Sequence, residues 1–192
     1  MVKAVFLDRD GTVNEEMGYI NHPSRLKIFD FAITAVKQLK DAGFKIIILT
    51  NQSGVARGYF DENVLLDIHA ILLKHFSESN ASIDKIYYCP HHKEGIIPKY
   101  KKDCDCRKPK PGMLIKAKED FNISLENSYL VGDRYKDIEF AQQNRIKSIM
   151  VLTGYGLGEY SYQKNQWKTE PDFVCDNLLK AAGIICQNEL SY

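Results

Sequence analysis

Short apolar runs alternate with stretches of helical period along this chain. AVFL at residues 4–7 is a continuous apolar run of strand length. FKIIIL at 44–49 is a second, and residues 83–88, 129–131 and 148–152 supply three more, with 173–175 as a last short strand. Between the runs, apolar residues recur at helical spacing. Residues 32–42 bring Ala35, Val36 and Leu39 onto one face, with Gly43 as the stop. Residues 61–76 gather Val64, Leu65, Ile68, Ile71 and Leu72, and 112–120, 137–143 and 177–185 read as further helices. Strands that are apolar throughout, rather than on alternate positions, are buried on both faces. Alternating with helices, they predict an α/β fold: a Rossmann-like parallel sheet flanked by helices.

Ligands of such sheets sit beyond the carboxyl ends of the strands. Three polar clusters fall there. Asp8 and Asp10, with Gly11 and Thr12, follow the first run; Thr50-Asn51-Gln52-Ser53-Gly54 follows the second; Gly132-Asp133 follows a later one. Two aspartates at the end of a buried strand repel one another and lose hydration, so a cation must sit against them or one of them must react. With Asp133 they offer the oxygen donors that suit Mg²⁺. Thr50 adds a hydroxyl, and Arg107 and Lys108 add positive charge if their loop folds back. That set suits phosphoryl transfer, where the protein positions groups and neutralises oxygen charge, and where a carboxylate can be the nucleophile.

The chain's 192 residues fit a single domain over 1–192, with no insertion large enough for a separate cap domain. A formal net charge of +1 gives no global pull toward nucleic acid or anionic membrane. No segment approaches the ~18 apolar residues of a membrane span, and the first apolar run is short for a signal peptide. The expectation is a cytoplasmic protein, monomeric, with no nucleic-acid or membrane partner.

The cysteines change the picture of the long loop at 89–111. Five cysteines, an odd number, argue against a disulfide framework. Cys89, Cys104 and Cys106, with His91 or His92, offer the three sulfurs and one nitrogen of a closed tetrahedral zinc site. The spacing differs from that of common zinc fingers, so free thiols remain the alternative. A metal would order a loop otherwise too long to lack structure of its own. Cys175 and Cys186 read as core cysteines, and His22, His69 and His75 as surface or core residues. Trp167, near Tyr155, Tyr160 and Tyr162, leaves a lid or an interface open.

The segments DRDGTVN, ILTNQSGVARG, CDCRKPKPGML and YLVGDRYKDIE resemble, in this order, the four signature motifs of the haloacid dehalogenase superfamily of phosphohydrolases. More narrowly they resemble its histidinol-phosphate phosphatase subfamily, over residues 5–152. The resemblance implies that Asp8 takes the phosphoryl group as nucleophile and that Asp10 is the general acid and base. It implies that Thr50 holds the phosphoryl group and that Lys108 balances its charge. Mg²⁺ would bind Asp8, Asp133 and the backbone carbonyl of Asp10. Substrate would meet Glu16, Met17, Gly18 and Tyr19, then Asn51, Gln52 and Ser53, then Arg107 and Arg134. The resemblance also implies Zn²⁺ on Cys89, His91, Cys104 and Cys106. Asp137 completes a GDxxxD spacing, with a helix N-terminal role as an equal reading. The implied activity is Mg²⁺-dependent removal of the 7-phosphate of a heptose 1,7-bisphosphate, a small phosphorylated sugar, through an aspartyl phosphate, in nucleotide-heptose biosynthesis. Histidinol phosphate is the alternative substrate. A 3′-phosphate of nucleic acid is a weaker one, because polynucleotide kinase-phosphatases share the motifs but lack the zinc loop.

Overall fold

The computed structural model describes residues 1–190. Its strands are β1 (Ala4–Leu7), β2 (Lys45–Asn51), β3 (Lys85–Cys89), β4 (Tyr129–Gly132), β5 (Lys147–Val151) and β6 (Phe173–Cys175). All pair in parallel, in the order β3-β2-β1-β4-β5-β6. The helices are α1 (Asp30–Asp41), α2 (Glu62–Glu78), α3 (Gly112–Phe121), α4 (Tyr135–Gln143), α5 (Gly156–Gln163) and α6 (Leu178–Leu190). This is the α/β parallel sheet that the apolar runs predict. No helix among the described residues is long and apolar enough to cross a membrane.

Side chains on successive residues of β1 point to opposite faces, and both faces are covered. Val5 and Leu7 pack with Ala35, Val36 and Leu39 of α1 and Ala181, Ala182 and Ile185 of α6. Ala4 and Phe6 pack with Met113, Leu114 and Ala117 of α3 and Phe140 and Ala141 of α4. Fully burying each of the larger of these side chains, the valines, leucines, isoleucine, methionine and phenylalanines, stabilises the fold by roughly 1.5–3 kcal/mol before entropy is counted. In α2 the buried stripe is Leu65, Ile68, His69, Leu72 and Phe76. Ile71, expected on that stripe, is instead exposed, and His69 takes an inward position.

From β1 the chain steps outward to β2 and β3, then returns to lay β4 on the other side of β1. The strand order therefore reverses between β1 and β4, and the crevice of such a sheet lies there, beyond the carboxyl ends. The links at 8–29 and 90–111 carry only the short 3-10 turns Pro23–Arg25 and Pro98–Tyr100. Gly156 and Gly158 disfavour a helix, yet α5 forms over them.

Candidate active site

Asp8 is the residue after β1, and its N–H donates to Val131 O of β4 at 2.9 Å. That bond fixes it at the reversal point. Lys108 reaches it from the cysteine loop: its Nζ lies 2.7 Å from Asp8 Oδ1 and 2.7 Å from Asp137 Oδ1. Burial alone would lower the Lys108 ammonium, but the two flanking carboxylates push it up. Burial lifts Asp8 to about 7, with Lys108 opposing and Asp137 reinforcing the rise. Asp133 follows β4, and burial next to Asp8 pushes it to about 8. Three carboxylates and one ammonium in so small a space leave excess negative charge.

That excess is the condition for a cation. Oxygens of Asp8, Asp133 and Asp137 all lie within 4.8 Å of one another. Asp133 Oδ1 is buried without a hydrogen-bond partner, while Oδ2 accepts from the Tyr155 N–H at 2.8 Å. The backbone is cut away to admit this carboxylate. Gly11 at φ +80° and Gly154 at φ +54° both lie where a Cβ would collide with it. The donor set and the orphaned oxygen fit a Mg²⁺ ion.

Asp10 faces elsewhere. Arg9, only 1% exposed, grips it through Nε and Nη2 at 3.2 and 2.9 Å to Oδ1 and Nη2 at 2.8 Å to Oδ2. Asn14 Nδ2 donates to Oδ1 and Gln52 Nε2 to Oδ2, each at 2.9 Å. Burial raises the Asp10 carboxyl, but Arg9 and these amides outweigh it and hold it below its usual value. Gln52 Nε2 also donates to Thr50 Oγ1 at 2.8 Å, so the ends of β1 and β2 share one network. Arg9 is itself backed by His69, whose Nε2 lies 3.1 Å from Nη1. Arginine has no acceptor, so His69 Nε2 must accept and the ring is neutral. Burial and Arg9 accordingly hold His69 down to about 3.

The loop carrying Lys108 is held in two ways. Asn51 at the end of β2 accepts from Lys108 N and donates to Lys108 O, both at 3.1 Å. Farther out, Cys106 Sγ lies 3.2 Å from both Cys89 Sγ and Cys104 Sγ, and His91 Nδ1 lies 3.2 Å from Cys106 Sγ. All four groups come within 4.8 Å of one another, and the thiols are free. This is the donor set of a closed zinc site. His92 is apart from it: its Nε2 faces Arg57 Nη2 at 3.3 Å. Arg107 donates to His91 O at 3.3 Å, which ties the next cation to the cluster.

The crevice has a volume of about 340 Å³. Asp8, Asp10, Thr50 and Lys108 line it, as do Asp137 and the Asn51–Ser53 corner. Glu16, Gly18 and Tyr19 close one side, and Arg57, Arg107, Arg134 and Lys136 bring positive charge to the wall. Two expected residues are not on that wall. Met17 is part-exposed and uses its carbonyl to accept from Arg25; Asp133 is buried at 1% exposure beneath the wall. Lys136 and Tyr155 line the crevice although neither was expected there. Lys136 lies inside the YLVGDRYKDIE segment but between the residues whose spacing marks it, and Tyr155 lies beyond the four segments.

The chain is similar to known proteins over most of its length. Residues 105–181 match a family model described as "HAD-hyrolase-like". The D-glycero-beta-D-manno-heptose-1,7-bisphosphate 7-phosphatase of Pasteurella multocida is 43% identical over 181 residues, 94% of this chain and 98% of that one. The enzyme of the same name from Escherichia coli K12 is 39% identical over 86% of this chain and 87% of its own. Among solved structures, a D,D-heptose 1.7-bisphosphate phosphatase from B. bronchiseptica, complexed with magnesium and phosphate, superposes with a TM-score of 0.85. It is 30% identical and the match covers 97% of this chain and 99% of that one. The chain belongs to the haloacid dehalogenase-like hydrolases, in the family of these sugar bisphosphate phosphatases. It is an enzyme of the phosphoric monoester hydrolase class.

Proposed function

We propose that this chain removes the 7-phosphate of D-glycero-β-D-manno-heptose 1,7-bisphosphate in the cytoplasm, on the way to nucleotide-activated heptose. The observation that carries the reading is the pairing of Lys108 with Asp8 at 2.7 Å in a crevice walled by Arg57, Arg107, Arg134 and Lys136. A substrate with one phosphate to transfer and another to hold needs cations in both places. The names of the near-full-length relatives favour heptose, and the β anomer, over histidinol phosphate.

In this reading an Asp8 oxygen attacks phosphorus and the bond from phosphorus to the sugar oxygen breaks. Asp10 gives its proton to that oxygen, leaving an aspartyl phosphate on Asp8. Asp10 then takes a proton from water, the water oxygen attacks phosphorus, and inorganic phosphate leaves with Asp8 restored. The five hydrogen bonds that Asp10 accepts from Arg9, Asn14 and Gln52 keep it ionised before substrate arrives. An incoming phosphate dianion raises its proton affinity, so that it takes from solvent the proton it then gives to the sugar oxygen. Lys108 and Thr50 hold the transferring group. Asp8, Asp133 and the Asp10 carbonyl hold Mg²⁺, which when bound supplies charge neutralisation for the phosphoryl oxygens. Glu16, Gly18 and Tyr19, with Asn51, Gln52 and Ser53, receive the sugar, and Met17 shapes their loop through its backbone. Cys89, His91, Cys104 and Cys106 would hold Zn²⁺ as a structural ion, and the cluster would steady the loop that carries Arg107 and Lys108 to the crevice.

The test is phosphate release with Mg²⁺ from both anomers of heptose 1,7-bisphosphate, from histidinol phosphate and from a 3′-phosphorylated oligonucleotide, with Asp8→Asn as the blank. Preference for the β-heptose substrate is expected. Preference for histidinol phosphate would keep the chemistry and overturn the substrate, and silence on all of them would overturn both.

A further inference from the structure

Glu159 belongs to none of the motifs, yet both of its oxygens are spent on the edge of the crevice. The residue is 8% exposed. Its Oε1 accepts from Arg134 Nε at 3.0 Å and lies 3.0 Å from Arg134 Nη2. Its Oε2 accepts from the Tyr135 N–H, at the start of α4, at 2.7 Å. The face of the same guanidinium lies over Tyr155, 4.4 Å from the ring centroid. Arg134 is thus gripped along one edge by a carboxylate and across one face by an aromatic ring.

The grip has a rigid base. Tyr135 stacks on Trp167 with centroids 4.6 Å apart and planes 8° apart. Its hydroxyl accepts from the N–H groups of Lys168 and Thr169 at 2.8 and 3.2 Å. On the other side, Thr153 Oγ1 donates to Gly11 O at 2.5 Å, and Tyr155 N–H donates to Asp133. The turn after β5 is therefore tied to both carboxylate loops and to α4. A free arginine side chain has many rotamers to lose on being fixed. One restrained on two sides loses little more when it meets a substrate.

We propose that Glu159, with Tyr155, is a positioning residue that presets Arg134 toward the crevice. The turn from Thr153 to Glu159 is then a specificity element of this phosphatase. The inference rests on the reaction and substrate proposed above. It assigns to Arg134 the acceptor oxygens that a bisphosphate sugar carries away from the transferred phosphate.

Glu159→Gln keeps the shape but gives Arg134 and Tyr135 N–H one acceptor oxygen to share. With heptose 1,7-bisphosphate it should raise KM about tenfold with kcat within about twofold, and Glu159→Gln with Arg134→Ala should be no worse than Arg134→Ala alone. Tyr155→Leu, at an exposed position, should shift KM the same way by less. A substrate-independent readout is the Arg134 Nε–H resonance, assigned by its loss in Arg134→Ala. It should be sharp and protected from exchange in the wild type and move to the free-arginine position in Glu159→Gln. Additive losses in the double variant, an equal fall in kcat on p-nitrophenyl phosphate, or an unmoved resonance would overturn the proposal. If the wild type leaves heptose 1,7-bisphosphate untouched, the substrate reading falls and the resonance alone decides the positioning.

Discussion

Asp8 and Asp10 are neighbours in sequence with opposite surroundings. Asp8 shares a proton-hungry cluster with Asp133 and Asp137, whereas Asp10 is saturated by Arg9, Asn14 and Gln52. Without a cation, Asp8 is the member that holds a proton and Asp10 the ionised one. A cation against Asp8 favours its charged, nucleophilic form, and an incoming phosphate favours the protonated, acid form of Asp10. Asp8→Asn should abolish turnover without a loss of fold, read as unchanged thermal melting. Asp10→Asn should cost ~10²–10⁴-fold in kcat, the usual worth of a general acid–base group. Near wild-type rates in either variant would contradict the assignment. These aspartates were visible in the sequence because DRDGT is a local pattern. Arg9 was not, since nothing local says that its side chain turns inward to meet His69, sixty residues away. Glu159 was hidden for the same reason: its partners are distant in sequence and its helix is built on glycines.

The element that positions Lys108 is the cysteine loop. It has no regular structure beyond one 3-10 turn, so its shape depends on Asn51 at one end and on the thiol cluster at the other. Cys104→Ser should bind less than one zinc per chain by metal analysis and lose kcat through a displaced Lys108. Zinc removal from the wild type should do the same, reversibly. A zinc-free protein with normal kcat and a normally ordered loop would show that Asn51 suffices. The loop was legible as a metal candidate from CxH and CxC alone. The choice of His91 over His92 rested on the resemblance; in the structure His91 faces Cys106 and His92 faces Arg57. The apolar strands were legible for a plain physical reason, since a strand buried on both faces must be apolar throughout. The expected burial of Ile71 failed because helical spacing fixes which residues share a stripe, but not where the stripe's edge meets solvent.

At the scale of the whole molecule, the buried pair of Arg9 and His69 links stability to pH. His69 is held near 3 when folded and titrates near its ordinary 6.5 when unfolded. Below about pH 6.5 the unfolded chain therefore binds a proton that the folded chain refuses, so folding weakens as pH falls. The contribution lost by pH 5 is about 2 kcal/mol. Asp84, held low against burial by Lys45 and Lys40, pulls in the same direction at still lower pH. Urea unfolding from pH 7 to 5 should show His69→Gln losing less stability than the wild type across that interval, because glutamine accepts from Arg9 without titrating. Parallel losses would mean that His69 is already charged or exposed.

The account as a whole turns on one covalent event, transfer of phosphate to Asp8. Enzyme turning over heptose 1,7-bisphosphate with Mg²⁺ can be quenched in acid and treated with borohydride, which reduces an acyl phosphate to an alcohol. Peptide mass spectrometry then reads the product. Homoserine at position 8, absent when substrate is omitted and absent in Asp8→Asn, is the predicted result. Turnover-competent enzyme with unmodified Asp8, or with the label on another residue, would contradict it.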